Sequence, residues 1–530
     1  MSDLIQFKGW GRTAAFGLLL GALSACDGLL EVDIPHILTD AALEGPATAE
    51  TQVNSMIAQI ECGTSTFAYI ALGHEDVLAS VAGIGGNNAI YRSTPDTGGG
   101  CDTSSANGNW FDQFMAARAG GSRDPDLFPL ALQAEGDSRG VYDRIQNDPD
   151  WAASLGGAEG EKLSAIAALY VAIALTHFGE FYCEIGIDGS EPMGPDAVLT
   201  MAVQWVDRAL GHMPSDFAMP FGISTSAVDM AVALRARIKW AQGDLAGANT
   251  DAATITEGWT AWITRESGEQ RRNKVFHAAQ SVSFAGMVGQ IDWWDSAVRN
   301  PNPVTGALWP TTIPFTGYIF LGIGPEGQTV DAAGYPMRWA KTLRDASDDP
   351  ISLGNSATPD PRVTHAIKSV QGPGRFEVLT KYATEGDDIP LVGWKEMVLI
   401  EAEYDMSQGA LLAAIAHVNI VRDATKATPI SAAYGAGLSQ AHVRKVIIEE
   451  RRRALFAEGA RYWSTKIQNT DLLWFPRAEG QTTFQAYPLG GGVRLEFVGD
   501  EYDNNQHWVD AGGNDLKGTL CAADEAPIIL

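Results

Sequence analysis

The sequence predicts a mainly helical protein, in which helix pairs pack against an irregular, loop-rich region with a few short strands. Two observations lead to this fold class. Small and apolar residues recur at helical spacing over residues 161–256 and again over residues 391–469. Between these segments, residues 257–390 lack that periodicity, and Pro, Gly and aromatic residues recur instead. We therefore expect two helical regions separated by an irregular one.

Length and composition indicate a globular protein with an acidic surface. The chain has 530 residues, of which 45% are apolar and 19% charged, enough for one large core or two to three ordinary ones. The formal net charge is −28. This charge disfavours nucleic acid, whose phosphates are bound by Lys and Arg. It also mildly disfavours an acidic polysaccharide, so a neutral ligand, a basic ligand or a protein partner is easier to accommodate.

The N-terminus carries the pattern of a bacterial lipoprotein signal. A basic segment precedes the apolar residues 13–22, which are too few to span a bilayer as a helix. The tetrapeptide LSAC that follows matches a lipobox, and Cys26 supplies the thiol for lipidation, including palmitate. We expect the lipid on Cys26 to anchor the protein to a membrane. Asp27 leaves the choice between inner and outer membrane open at this point.

The remaining cysteines suggest disulfides and no metal centre. Cys62, Cys101, Cys183 and Cys521 allow three connectivities, of which one containing Cys62–Cys101 has the most local pair. No two of them have CxxC spacing and no His cluster accompanies them, so we expect no metal site and no cofactor.

Helical periodicity in the first half of the chain begins at residues 47–82, in two pieces that break near Gly63. Residues 83–121 are rich in Gly, Asn, Ser and Thr and are predicted to form a long loop. Four further helices are predicted at residues 161–179, 195–213, 226–243 and 244–256. Their Ala-rich faces and intervening turns resemble a tetratricopeptide pattern, although the connections exceed a repeat of about 34 residues.

The second half of the chain returns to helices after the irregular region. Two helices are predicted at residues 394–406 and 409–425, followed by a charged one over 443–466. In the charged helix, apolar residues keep one face and acids lie three or four residues before bases. We expect it to be amphipathic, with its ion pairs on a solvent-exposed face.

These observations divide the chain into seven segments. They are the signal peptide (1–25), the lipidated tether (26–46), N-terminal helices and a loop region (47–160), tetratricopeptide-like helix pairs (161–256), an irregular Trp-rich ligand region (257–390), C-terminal tetratricopeptide-like helices (391–469) and C-terminal loops (470–530).

The charged segment resembles the "ERRxEL..EGxR" signature of the SusD/RagB family. The residues that form this structural signature are Glu450, Arg451, Glu458, Gly459 and Arg461. Residues 396–422 are similar to a second family motif, "E..LI.AEA....G....A...IN..R". Two departures indicate a divergent member: Ala454 stands where the family has Glu, and YWSTK at residues 462–466 replaces "w.DLxR".

The resemblance implies a nutrient-uptake lipoprotein on the cell outer membrane. Such a protein captures an oligosaccharide, or in some members a peptide, and delivers it to a TonB-dependent transporter without performing chemistry. Two alternatives remain: a helical-repeat interaction scaffold, and a surface glycoside hydrolase using Asp292 and Asp295. The sequence contains no GxSxG, HExxH or Walker motif, so an enzyme is not expected.

A glycan site needs aromatic faces for the sugar ring and polar donors for its hydroxyls. The candidate ligand-binding residues in the irregular segments are Asn109, Trp110, Tyr91, Arg92, Trp293 and Trp294. We expect Trp110 and one of the two adjacent tryptophans to share an exposed patch. Glu458 and Arg461 are expected to brace the end of the signature helix by ion pairing and hydrogen bonding.

Overall fold

The structure is a computed structural model. It describes residues 45–74, 79–80, 110–123, 139–268, 271–280, 287–288, 362, 365–369, 375–427, 429–430, 432–470, 493–495, 505–510 and 512–521.

Helices dominate these ranges. In chain order they are α1 (Ala49–His74), α2 (Trp110–Gly121), α3 (Val141–Asn147), α4 (Pro149–Leu155), α5 (Gly157–Phe181), α6 (Pro195–Gly211), α7 (Ala227–Ala241), α8 (Leu245–Ala252), α9 (Lys274–Gln280), α10 (Trp394–Ser407), α11 (Leu411–Ala424), α12 (Ala432–Ala436), α13 (Gln440–Ala454) and α14 (Arg461–Gln468).

Short strands form three antiparallel pairs in the part of the chain that the structure describes. They are β1 (Ala79–Ser80) with β3 (Met287–Val288), β2 (Thr260–Ile263) with β6 (Ile389–Gly393), and β4 (His365–Ser369) with β5 (Arg375–Leu379). The mainly helical fold class with a few short strands is thus confirmed. Most of the irregular region, residues 289–361, lies outside the described residues.

Helix α5 forms the centre of the core. By length and composition it could cross a membrane, but its apolar window is entirely buried inside the protein, as expected of a core helix. Small residues on α5 admit its neighbours closely. A Cβ atom at Gly179 would lie 2.6 Å from Cγ of Leu199 on α6, which is closer than side-chain atoms approach one another.

Successive helices pack as pairs: α5 with α6, α7 with α8, and α10 with α11. Helix α8 contacts α10, and α13 packs across both α10 and α11, so the two helical regions share one core. Side-chain caps fix where two of these helices begin. Ser226 accepts a hydrogen bond from the Asp229 amide (2.9 Å), and Asp244 accepts one from the Gly247 amide (2.9 Å).

Two expectations about the N-terminal half are wrong. Helix α1 runs through Gly63 without a break, because the glycine serves a close helix contact: a Cβ atom there would lie 3.0 Å from the Phe114 ring of α2. The predicted loop over residues 83–121 ends in a helix, α2, whose aromatic residues are buried. Residues 83–121 are rich in Gly and Asn as a whole, so their composition did not reveal the apolar face that α2 presents to α1 and α5.

A disulfide joins Cys183, just after α5, to Cys521 near the C-terminus. Cys62 is also disulfide-bonded. The first bond ties the C-terminal segment to the central helix, a pairing that the sequence left open.

Candidate functional site

The signature segment forms two helices rather than one. Helix α13 ends at Ala454, and α14 begins at Arg461. Between them the backbone turns sharply, with φ of +56° at Ala457, +67° at Gly459 and +67° at Ala460. Positive φ is unfavourable for residues with a Cβ atom, so this turn depends on the contacts around it.

The charged residues of α13 are buried, contrary to the expectation of a solvent-exposed face. The side chains from Glu449 to Arg453 are between 0% and 3% exposed. Ionised groups can be buried at this depth only when each has a partner, because removing a charge from water costs several kcal/mol. Glu449 pairs with arginines three and four residues further along the same helix, as the spacing predicts. The partners of Glu450 and Arg451 come from distant parts of the chain, which the spacing within the helix does not reveal.

Each buried carboxylate on α13 receives two cationic side chains. Glu450 is paired with Arg422 of α11, at 3.0 Å, and with Arg362, which lies before β4. Glu449 is paired with Arg453 at 2.7 Å and with Arg452 at 3.4 Å.

On the other side of the same helix, Arg451 donates to Glu403 of α10. Its guanidinium lies 4.1 Å from the centroid of the Trp240 ring of α7. These contacts fix α13 against both helical regions.

A cleft of about 180 Å³ opens beside the turn between α13 and α14. It is bounded by β2, β6, the first turn of α10 and residues 455–461. Its polar lining residues are Thr260, Lys381, Asp388, Lys395, Glu396, Glu458 and Arg461, with Trp262 and Tyr382 as the aromatic ones. We take this cleft as the candidate functional site.

Two lysines meet on one carboxylate oxygen in the cleft. Lys381 Nζ lies 2.7 Å and Lys395 Nζ 2.6 Å from Oε1 of Glu458. Lys395 also donates to the carbonyl of Ala454 (3.1 Å), and Lys381 to that of Phe456 (2.5 Å). Burial opposes ionisation of Glu458, but the two ammonium groups outweigh it and lower its pKa below the ordinary value.

Glu396, at the start of α10, is a second buried carboxyl group in the cleft. Burial raises its pKa to about 7. Arg237 and Arg451 favour the ionised form, whereas Glu180 and Glu458 oppose it. At neutral pH this side chain is therefore close to half protonated.

Arg461 braces the turn with two of its three nitrogens. Nε donates to the carbonyl of Glu458 (3.2 Å) and Nη2 to that of Gly459 (2.9 Å). The third nitrogen, Nη1, is buried and donates no hydrogen bond within the described structure. Its nearest acidic neighbour is Oε1 of Glu396 at 3.8 Å, beyond hydrogen-bonding distance.

Trp262 supplies a partly exposed aromatic surface to the cleft. It pairs with Pro390 across the two strands, directly after a register shift between Ala261 and Trp262. Such a bulge changes the direction in which a side chain points. Tyr382 is buried, and its hydroxyl donates to the carbonyl of Ala457 (2.8 Å), so it acts mainly on the turn.

The structure corrects the expectation for Trp110. It is the first residue of α2 and only 1% exposed, with its ring centroid 5.9 Å from that of Phe67. A core side chain of this kind presents no face to a ligand. Asn109, Tyr91, Arg92, Trp293 and Trp294 lie outside the described residues, as does the lipidation site Cys26.

Sequence reasoning did not select Lys381, Lys395 or Trp262 as site residues. Trp262 was one of many tryptophans in the irregular region, and the two lysines are ordinary in their local sequence. No periodicity or motif around these three residues singles them out in the sequence. Within the described ranges, no three His, Cys, Asp or Glu side chains converge as metal ligands.

The paired helices, their buried arginine-rich segment and the flanking short strands together define a SusD-like fold. A sequence model of the SusD family matches residues 380–466, which contain the two cleft lysines and the whole signature. The resemblance to the SusD/RagB family is thereby confirmed, for a divergent sequence.

Solved structures with a similar fold cover 87–90% of this chain. A SusD superfamily protein from Bacteroides vulgatus has 11% identity and a TM-score of 0.51, covering 88% of this chain and 98% of that one. A SusD-like carbohydrate binding protein from the same species has 12% identity and a TM-score of 0.50, with coverages of 87% and 97%. NanU of B. fragilis has 12% identity and a TM-score of 0.50, with coverages of 90% and 98%. No curated protein matches the sequence.

Proposed function

We propose that this chain is an outer-membrane surface lipoprotein that captures an oligosaccharide and delivers it to a TonB-dependent transporter. The observation that carries the proposal is the match of residues 380–466 to the SusD family, set within a fold shared over nearly the whole chain. The similar fold of a SusD-like carbohydrate binding protein supports a glycan as the ligand. The lipobox at Cys26 supports the membrane anchor.

Two of the three carboxyl groups in the cleft are already engaged, which favours binding over catalysis. Its ionised carboxylate, Glu458, is neutralised by two lysines, and Asp388 accepts a hydrogen bond from the amide of Arg265 (2.6 Å). Carboxylates occupied in this way hold the structure together and are poorly placed to exchange protons with a glycosidic bond.

The cleft holds one end of the ligand. Its volume of about 180 Å³ is below the roughly 300–1,000 Å³ of sites that enclose drug-sized ligands. A single sugar unit fits, with its apolar face on Trp262. The rest of the oligosaccharide is proposed to contact residues predicted from the sequence, namely Trp293, Trp294, Tyr91, Arg92 and Asn109.

Glycan capture is tested with the soluble protein lacking residues 1–26, first on a glycan array and then by calorimetry. We expect saturable binding without products, and Trp262→Ala should weaken it about tenfold, the loss of one well-packed aromatic contact. Leu412→Ala on α11, which alters an exposed apolar residue, serves as the control. Release of hydrolysis products would instead identify a glycoside hydrolase.

Location and partner are tested with the full chain. The wild type should sediment with the outer membrane and copurify with a TonB-dependent transporter, and Cys26→Ala should move it to the soluble fraction. Copurification with the transporter, combined with binding to no glycan or peptide, would favour the interaction scaffold over the capture protein.

A further inference from the structure

The chain reverses direction in a tight turn at residues 220–223, between α6 and α7. The Ile223 amide donates to the carbonyl of Pro220 (3.2 Å), which closes the turn around Phe221 and Gly222. These two central residues have φ of +58° and +74°. Positive φ at both central positions is the geometry of a type I′ turn, so the backbone here is held in one defined conformation.

Phe221 is an unfavourable residue for this turn. Type I′ turns favour Asn or Asp followed by Gly, because a left-handed φ brings the Cβ atom of most other residues close to a backbone carbonyl. The Phe221 side chain gains little packing in return, since it is 58% exposed. A large apolar side chain that strains the backbone and packs poorly indicates a role outside the folded chain.

The turn is attached to the strand that carries Trp262. The Trp262 amide donates to the carbonyl of Ile223 (2.8 Å), so β6 does not use this amide. Within β2, Ala261 and Ile263 are buried, whereas Trp262 is partly exposed and lines the cleft. Through this bond, the Cα atoms of Phe221 and Trp262 lie within about 13 Å of each other. A short oligosaccharide is long enough to reach both residues.

We propose that Phe221 is a second aromatic surface of the glycan site, which binds a further unit of an oligosaccharide whose end lies on Trp262. This inference rests on the proposed function and assigns the site a neutral oligosaccharide of several units. Residues 218–225 contain no charged side chain, which suits the apolar face of an uncharged sugar ring. Because the turn already holds Phe221 in place, little conformational entropy is lost when a sugar binds.

The test measures how affinity depends on oligosaccharide length, by calorimetry on the soluble protein lacking residues 1–26. The probes are cello-oligosaccharides and the tightest-binding glycan of the array, each as forms of two and six sugar units. The comparison is made for every glycan that binds. We expect the wild type to bind the longer form about tenfold or more tightly, because only that form reaches both aromatic side chains.

Phe221→Asn should remove most of this gain with length, while the melting temperature stays equal or rises, because Asn suits the type I′ turn. Phe221→Tyr keeps an aromatic ring and should retain the gain. The matched control is Leu412→Asn, because Leu412 is 59% exposed and no residue of α11 lines the cleft. This control should leave the gain unchanged.

A gain with length that survives Phe221→Asn, or that is absent from the wild type, would overturn the second surface and leave glycan capture intact. A clear fall in the melting temperature of Phe221→Asn would assign the side chain to the fold instead. Loss of copurification with the transporter, at unchanged glycan affinity, would assign it to the protein partner. Binding of no glycan at either length, and none on the array, would overturn the inference and the proposed function together.

Discussion

Replacing Glu396 with Gln should stabilise the protein above neutral pH and flatten the pH dependence of its stability. Glutamine has nearly the shape of the protonated carboxyl group but cannot ionise. The wild-type side chain is 4% exposed, and burial raises its pKa from 4.5 to about 7. The variant therefore removes a charge that the folded state accommodates poorly.

The sign and size follow from the two pKa values. Because the folded pKa exceeds the unfolded one, the folded state binds more protons between pH 4.5 and about 7, and stability falls as pH rises through that window. A difference of this size corresponds to about 3 kcal/mol in the free energy of unfolding once Glu396 is fully ionised. About 2 kcal/mol of that loss falls between pH 5.5 and pH 8.

The groups around Glu396 set this balance from several elements. Arg237 on α7 and Arg451 on α13 stabilise the ionised form, while Glu180 on α5 and Glu458 in the turn destabilise it. Arg461 on α14, at 3.8 Å, is too far away to donate a hydrogen bond. The burial of the carboxyl group outweighs the nearby cations, and this is the premise that the experiment tests.

Urea unfolding of the wild type and Glu396→Gln at pH 5.5, 7 and 8 measures the effect. The difference between the two free energies of unfolding should grow with pH by about 2 kcal/mol. Glu159→Gln, which alters an exposed carboxylate on α5, should show no such growth. Parallel curves for wild type and Glu396→Gln would mean that Glu396 is already ionised at pH 5.5, and the reasoning would be refuted.

Three further changes test the fold. Glu450→Ala should lower the free energy of unfolding by about 3–5 kcal/mol in urea, because it removes the buried carboxylate that two buried arginines share; a loss below 1 kcal/mol would contradict the buried pairing. Gly179→Ala should cost about 1–3 kcal/mol through its clash with Leu199, whereas Gly157→Ala, with open space around it, should cost little, and equal melting temperatures would count against this packing. Cys183→Ser should cost about 2–5 kcal/mol by opening a bond across 338 residues, and adding reductant should then have less effect on the variant than on the wild type.

Helix positions were well predicted where local signals fix the ends. The helix predicted at residues 195–213 is observed at Pro195–Gly211. The helix predicted at 226–243 is observed at Ala227–Ala241, with Ser226 as its cap. Proline in the first turn and a serine cap act within one turn of the helix, so the sequence contains all the information needed.

The burial of the charged segment could not be predicted from local signals in the same way. Periodicity assigns charged residues to the solvent side, because a charge without a partner is costly to bury. The partners of Glu450 are Arg422, which is 28 residues away, and Arg362, which is 88 residues away. Only the folded chain brings them together, so the sequence predicted helical structure here but missed both the turn that divides it and the burial of its charges.

The same limitation applies to the candidate site. Trp262 is on β2, Lys381 follows β5 and Lys395 is on α10, and no local motif joins the three. Trp110 shows the opposite error, because an aromatic residue in a Gly-rich sequence was expected on the surface and lies in the core. Side-chain type indicates which residues could contact a glycan, but where those residues lie depends on tertiary contacts.

The buried pairs give the signature a mechanical role in positioning the cleft. Glu450 holds Arg422 of α11 together with Arg362, and Glu458 holds Lys395 of α10 together with Lys381, which follows β5. Each carboxylate thus joins one cation from a repeat helix to one from the chain that precedes those helices. Because separating either cation from its carboxylate removes an ion pair from a buried site, the two segments cannot shift independently without a large energetic cost.

The turn that Arg461 braces then forms one wall of the cleft, and the lysines held by Glu458 form another. The motif that maintains the fold therefore also determines where Lys381 and Lys395 lie in the cleft. This accounts for the position of the candidate site beside the signature, where the charges needed to join the two segments are already concentrated.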